Sequence, residues 1–165
     1  MGRIVRFKEK QPLTSLIDRV SRGLGNPKGF PVAIPQSASL DDIQISSVGI
    51  CAGSGGSLLS PLHDVDLLFT GEMSHHEALA AIERGQCVIA PFHSNTERGF
   101  LQDVLRDQLQ KAVAEEWESV RREEAEREDV SEEFMEALKD DEVNVEVSES
   151  DRDPYGIALA TGERW

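Results

Sequence analysis

The chain has 165 residues, within the range of one domain, and 39% of them are hydrophobic. Its net charge of −14 is uneven: residues 112–141 hold 13 acids against 4 bases, whereas residues 1–111 hold 12 against 11. An acidic chain repels phosphate backbones, which argues against direct nucleic-acid binding, and no apolar run reaches the length of a membrane span.

The basic residues at the start are not followed by an apolar segment, so no secretory signal is expected. Arg6 stands where a myristoylation motif needs Ser or Thr. Cys51 and Cys87 both sit in apolar runs, which predicts buried, inert thiols in a reducing compartment. The expected location is the cytoplasm, with the mitochondrion and nucleus as alternatives.

In chain order, Gly2 to Phe7 predicts a short strand. Pro12 to Leu24 predicts a helix, since Leu13, Leu16, Ile17 and Val20 recur at helical spacing before Gly23 and Gly25. Phe30 to Ile34, bounded by Pro31 and Pro35, suits an edge strand. Ile43 to Ala52 predicts a strand, followed by the turn Gly53-Ser54-Gly55-Gly56-Ser57 and a short helix to about His63. Val65 to Phe69 predicts a strand buried on both faces. Ser74 to Arg84 predicts a helix, with Ser74 and Glu77 in capping-box spacing and Gly85 at its end. Cys87 to Phe92 predicts another buried strand, and Ser94 opens the next helix. Strands and helices that alternate in this way predict an α/β fold with a layered sheet.

The helix after Ser94 carries an apolar stripe of Leu101, Val104, Leu105, Leu109 and Val113, with Phe100 beside it. Beyond Trp117 the stripe fades into an acidic, helix-favouring tract. That composition predicts a solvated helical or disordered insertion over 112–141, with a partner-binding segment as the sharper alternative. Val143, Val145 and Val147 alternate with polar residues, which predicts a final strand in the 142–165 segment.

Several residues could carry chemistry. Backbone N–H groups in Gly53, Ser54, Gly55 and Gly56 could cradle an anion or approach a substrate or metal site closely, with a tight turn that holds no ligand as the plain structural alternative. The spacing fits neither the dinucleotide fingerprint nor a P-loop, because Leu58 fills the third glycine position and no Lys follows. His63 reads as an ordinary surface residue. His75 and His76 lie where a strand end meets a helix start, the place where open α/β sheets bind ligands. His93 and Glu97 form His-x-x-x-Glu at the next such junction, and imidazole with carboxylate suits zinc, iron or manganese. Ser94 and Glu97 also have capping-box spacing, the plain structural alternative. Two ligands alone fall short of the three or four of a complete centre.

Three motifs occur in order: Cys51-Ala52-Gly53-Ser54-Gly55-Gly56-Ser57, Thr70-Gly71-Glu72-Met73-Ser74-His75-His76, and His93-Ser94-Asn95-Thr96-Glu97-Arg98-Gly99-Phe100. Together they resemble the C-terminal half of the Nif-three-like family, also called GTP cyclohydrolase I type 2 homologues. The resemblance covers residues 2–111 and resumes from Val143 to Pro154. It implies a layered α/β/α repeat with a mixed sheet, here carrying an acidic helical extension. It divides the chain into a repeat over 1–111, an insertion over 112–141, and a strand and tail over 142–165.

Family members have two intertwined repeats around a dinuclear metal centre and often form dimers or hexameric rings. The resemblance makes His93 and Glu97 two of the metal ligands, with the others supplied by an N-terminal half that precedes the part matched here. It places Glu72, His75 and His76 along the same cleft without a ligand role. The implied activity is that of a metal-dependent hydrolase of GTP cyclohydrolase type, using zinc, iron or manganese. Implied partners are a second copy or the missing half, and a further protein partner. The alternatives are a non-enzymatic protein that binds a transcription co-regulator, and a truncated product.

Overall fold

The computed structural model describes residues 2–158. It divides into two compact units: one holds the chain up to Arg98 and takes it up again at Arg152, and the other is Gly99–Asp151. The change of unit comes at the start of the apolar-striped helix, not where its charge becomes acidic.

The first unit is built on a mixed five-stranded sheet in the order β1-β3-β4-β5-β2. Strand β1 (Arg3–Pro12) runs antiparallel to β3 (Gln44–Ser54), which continues in parallel to β4 (Leu67–Glu72) and β5 (Cys87–Ile89). The antiparallel strand β2 (Val32–Ala33) closes the far side, at the edge that its flanking prolines require. Strand β1 outruns its apolar residues because its ladder resumes beyond Arg6 after a shift in register, at Gln11 and Pro12.

Helix α1 (Leu13–Gly23) buries Leu13 and Leu16 in a core with Ile45, Val48, Leu67, Cys87 and Ile89. A second cluster gathers Cys51, Leu59, Val65, Leu68, Ala81 and Val88, so the central strands are covered on both faces. The short helix α2 (Gly56–Leu59) contributes Leu59 and helix α3 (His75–Glu83) contributes Ala81. Both cysteines are buried and free. Burial and then the charge of Asp66 push the Cys87 thiol up to about 11.

Among the strand ends that differ from expectation, those of β4 and β5 shape the site. Strand β4 runs on to Glu72 because Thr70 extends it. The fully buried Thr70 hydroxyl donates to the Gly53 carbonyl at 3.0 Å and accepts from the Gly55 N–H at 2.9 Å. Strand β5 stops at Ile89, short of Phe92. Pro91 has no N–H for a ladder, and Phe92 takes a left-handed φ of +72°. That turn redirects the chain just before His93.

The second unit is helical. The chain enters it through a single turn, α4 (Arg98–Phe100), and a π-helical stretch over Leu101–Leu105. Helices α5 (Arg106–Ala125) and α6 (Glu132–Ala137) follow. The acidic insertion is therefore mainly helical. Segment 140–145 returns along α5: Trp117 Nε1 donates to the Asp140 carbonyl at 2.9 Å, and Gln110 Oε1 accepts from the Val145 N–H at 2.7 Å. Val143, Val145 and Val147 alternate in burial as expected, but no ladder forms there among the described residues. The predicted final strand is replaced by an irregular segment that Gln110 holds by its backbone. Among the described residues, no helix is long and apolar enough to cross a membrane.

Candidate functional site

Strands β3, β4 and β5 are parallel, so their C-terminal ends share one edge of the sheet, where open α/β sheets bind ligands. Ser54 ends β3 opposite Glu72 at the end of β4. His93 follows β5 and caps a 3-10 turn over Ser94–Thr96, with Glu97 at the turn's other end. Topology thus brings Gly53, Ser54, Glu72, His93 and Glu97 to the same sheet edge from three sequence motifs.

The expected Ser94–Glu97 capping box does not form. His93, not Ser94, is the N-cap of the turn, and no side chain caps it. The Ser94 N–H instead donates to Asp153 Oδ2 at 3.2 Å, across 59 positions of sequence. Burial pushes the Asp153 carboxyl up, but the N–H groups of Tyr155 and Ser94 outweigh it and hold the group below its ordinary value. Glu97 is thereby left free of a capping role and turns back toward His93.

Both imidazole nitrogens of His93 face carboxylates. Nδ1 lies 2.9 Å from Glu72 Oε1, and Nε2 lies 3.5 Å from Glu97 Oε1. A carboxylate only accepts, so the Nδ1 contact requires a proton on Nδ1. In a neutral ring Nε2 then carries a lone pair that faces a second negative oxygen, an arrangement that calls for a cation between them. A proton serves: the Glu72 hydrogen bond raises the His93 pKa, slight burial opposes it, and the charges of Glu97, Glu72 and Asp153 add to the rise. A metal ion also serves. Two ligand atoms about 2.1 Å from one tetrahedral ion stand about 3.4 Å apart, close to the distance between this pair.

Glycine keeps that gap clear. Gly53 has φ +67°, and a Cβ there would lie 2.6 Å from Glu97 Oε1 and 2.9 Å from His93 Nε2. A side chain at Gly71 would meet the Gly53 carbonyl, His93 Cα and Thr96 Oγ1, each at 2.8 Å. Thr96 closes the unit: its hydroxyl accepts from the Gly53 N–H and donates to the His93 carbonyl, both at 2.8 Å. Asn95 Nδ2 donates to the Pro91 carbonyl at 2.9 Å.

The glycine-rich turn spends two of its N–H groups inside the fold. The Gly53 and Gly55 N–H groups are already taken by Thr96 and Thr70. The turn's glycines serve close packing: a Cβ on Gly55 would lie 2.8 Å from Cys51 Cβ, and one on Gly56 would run into the Glu77 carboxylate. Ser54 is exposed at the strand end.

His75 and His76 are exposed at the start of α3, their rings 5.6 Å apart and nearly perpendicular at 75°. Among the described residues, no hydrogen bond joins either ring to His93 or Glu97. The Ser74–Glu77 capping box does form, with the Ser74 N–H donating to Glu77 Oε2 at 2.9 Å. His63 is exposed, as expected. No group of three or more His, Cys, Asp or Glu side chains suited to a metal ion occurs among the described residues.

Sequence reasoning missed Phe92, Thr96 and Asp153 as builders of the site, and the direct bond from Glu72 to His93. Thr96 and Glu72 lay inside the quoted motifs, and Asp153 lay in the segment where the resemblance resumes. No spacing rule links Asp153 to a turn that lies 59 positions earlier.

The protein related to NIF3 from Bacillus cereus superposes with a TM-score of 0.60 at 22% identity, over 96% of this chain and 36% of that one. That similarity shows a shared fold. NGG1-interacting factor 3 of Saccharomyces cerevisiae is 44% identical over 110 residues, and human NIF3-like protein 1 is 36% identical over 157. These matches cover 66% and 95% of this chain, but the chain spans only 38% and 34% of those relatives' lengths. A family model covers residues 1–129, which include all three motifs at the sheet edge, and on that match the chain belongs to the Duf34/NIF3 (NGG1p interacting factor 3) family.

Proposed function

We propose that this chain supplies part of a metal site, with His93 Nε2 and Glu97 as ligands, in a metal-dependent hydrolase of the GTP cyclohydrolase type. One observation carries the reading: the lone-pair face of His93 and a Glu97 oxygen stand 3.5 Å apart across a gap that Gly53 keeps free of any side chain. Imidazole with carboxylate suits zinc, iron or manganese. The chemistry such a cation supplies when bound is Lewis-acid activation of water near neutral pH.

The chain's own residues do the positioning. Glu72 accepts the Nδ1 proton of His93, Thr96 ties the turn to β3, and Asp153 holds its first N–H. Two ligands do not complete a centre, since even an open catalytic zinc site takes three from protein. The remaining ligands of a dinuclear site would come from a second copy of the chain or from a further stretch of polypeptide such as the longer relatives contain. The test is metal content after purification, read for the native chain against His93→Ala and Glu97→Gln. Both substitutions fall on exposed side chains and should leave the circular dichroism unchanged. Loss of bound zinc, iron or manganese in both variants supports the reading, and equal content in all three chains overturns it.

A second reading is non-enzymatic protein binding. The yeast relative is named for interaction with NGG1. Here Phe100 is 55% exposed ahead of α5, and Leu109 is 44% exposed within the first turns of that acidic helix. Exposed apolar residues of this kind mark interaction surfaces. Deletion of 112–141 should then abolish capture of a transcription co-regulator, and undiminished capture would refute a role for that segment.

A further inference from the structure

We propose that Glu72 is a positioning residue that sets the tautomer of His93 and so decides which nitrogen meets Glu97. The inference rests on the reading of His93 and Glu97 as metal ligands and deepens it.

Four features make Glu72 the orienting group. Its backbone is fixed by strand pairing, since β4 runs on until Glu72 lies opposite Ser54. The residue before it, Gly71, is buried against Gly53, His93 and Thr96, so the end of β4 packs directly on the turn that carries His93. The left-handed Phe92 swings His93 out of the line of β5, and the resulting contact between Nδ1 and Glu72 Oε1 is a full hydrogen bond at 2.9 Å. Glu72 also engages Nδ1 alone, while Glu97 faces the opposite ring nitrogen. The two carboxylates therefore divide the ring between them, Glu72 taking the protonated nitrogen and Glu97 the side where a cation would sit.

The chemistry gives this division a consequence. A histidine ring without a partner favours its proton on Nε2, which would block the side facing Glu97. An acceptor at Nδ1 reverses that preference, leaves Nε2 as a lone pair, and makes it a better donor to metal. Carboxylate partners of metal-bound histidines act in this way, and their removal typically lowers metal affinity about 10–100-fold. A direct ligand would instead be needed for binding itself.

Two measurements on the full chain test the assignment. Long-range 15N–1H correlation spectra of the metal-free protein, recorded at alkaline pH where imidazoles are neutral, report which nitrogen of His93 holds the proton. The native chain should show it on Nδ1, and Glu72→Ala should move it to Nε2. Glu97→Gln should leave it on Nδ1, separating the tautomer from the ligand role. The second measurement is Zn2+ affinity by competition with a chelating dye. Glu72→Ala should weaken it about 10–100-fold.

A native His93 protonated on Nε2, or a tautomer unmoved in Glu72→Ala, overturns the proposal whatever the metal result. A shifted tautomer with unchanged affinity also overturns it, as does complete loss of Zn2+ binding in Glu72→Ala, which would make Glu72 itself a ligand. If the native chain shows the Nδ1 tautomer, controlled by Glu72, but binds no Zn2+, the ligand reading fails while the assignment of Glu72 to the tautomer stands.

Discussion

The end of the sheet at Gly53, Glu72 and His93 and the acidic helices α5 and α6 use charge in opposite ways. At the sheet edge, buried backbone and close glycine contacts fix where each charged group points, so a single imidazole is held between two carboxylates. In α5 no residue is buried, and its i,i+4 ion pairs are exposed, as in Lys111 with Glu115 and Arg122 with Glu118. Such exposed pairs contribute about 0.3–0.5 kcal/mol each and define little. Charge becomes a site only where packing removes the side chain's alternatives.

Substitutions can break that contrast, and the largest effect is expected in the core. Ile89 is fully buried, and Ile89→Ala should cost about 2–5 kcal/mol in urea denaturation. Leu109→Ala, at a residue 44% exposed, should cost under about 1 kcal/mol. Equal costs would show that the helical unit is as tightly built as the sheet.

Thiol labelling sharpens the same contrast. Cys87 is 2% exposed and burial pushes its thiol up to about 11, so it should react with a disulfide reagent at mildly alkaline pH more slowly than it does in the urea-unfolded chain. A native-state rate equal to that of the urea-unfolded chain would show that β5 is open.

The α3 cap comes next. Ser74→Ala removes one half of a reciprocal cap and should lower stability by about 1 kcal/mol. The hydrogen bonds from the Ser74 side chain and backbone lower the Glu77 pKa below its ordinary 4.5. A depressed folded pKa means that this contribution is complete above the unfolded value and is lost as pH falls through the folded one. The gap between native and Ser74→Ala stabilities should therefore shrink on acidification below about pH 4.5, as pH-dependent denaturation would reveal. A constant gap would show that the carboxylate is not involved.

The smallest effect is expected in the acidic helix. Glu118→Gln should change stability by no more than about 0.5 kcal/mol, and added salt should erase the difference. A larger, salt-resistant loss would mean that this helix is specified by its charges after all.

Most of the layout was legible in the chain. Helical spacing in 13–20, the apolar runs at 43–52 and 87–90, and the Ser74–Glu77 cap each correspond to a real element, because these signals are local: the apolar residues pack into the core and the cap closes within one turn. The valine alternation at 143–147 misled, because alternating burial needs only a surface to lie on. Here Gln110 of α5 holds the segment, with no neighbouring strand. The Ser94–Glu97 spacing misled for a related reason: a cap is decided by which acceptor reaches the N–H first, and Asp153 does.

The amino-acid sequence by itself determined the α/β alternation, the covered central strands and the three motifs that reach the sheet edge, since periodicity and glycine punctuation act over a few residues. Only the tertiary structure decided that β4 runs on to Glu72, that Phe92 turns left-handed, and that His93 lies between Glu72 and Glu97. Those outcomes depend on contacts between residues tens of positions apart, such as Gly53 with Thr96 and Gly71 with His93. No local pattern encodes a distance across the sheet, so the convergence of one imidazole and two carboxylates emerges only when the strands are side by side.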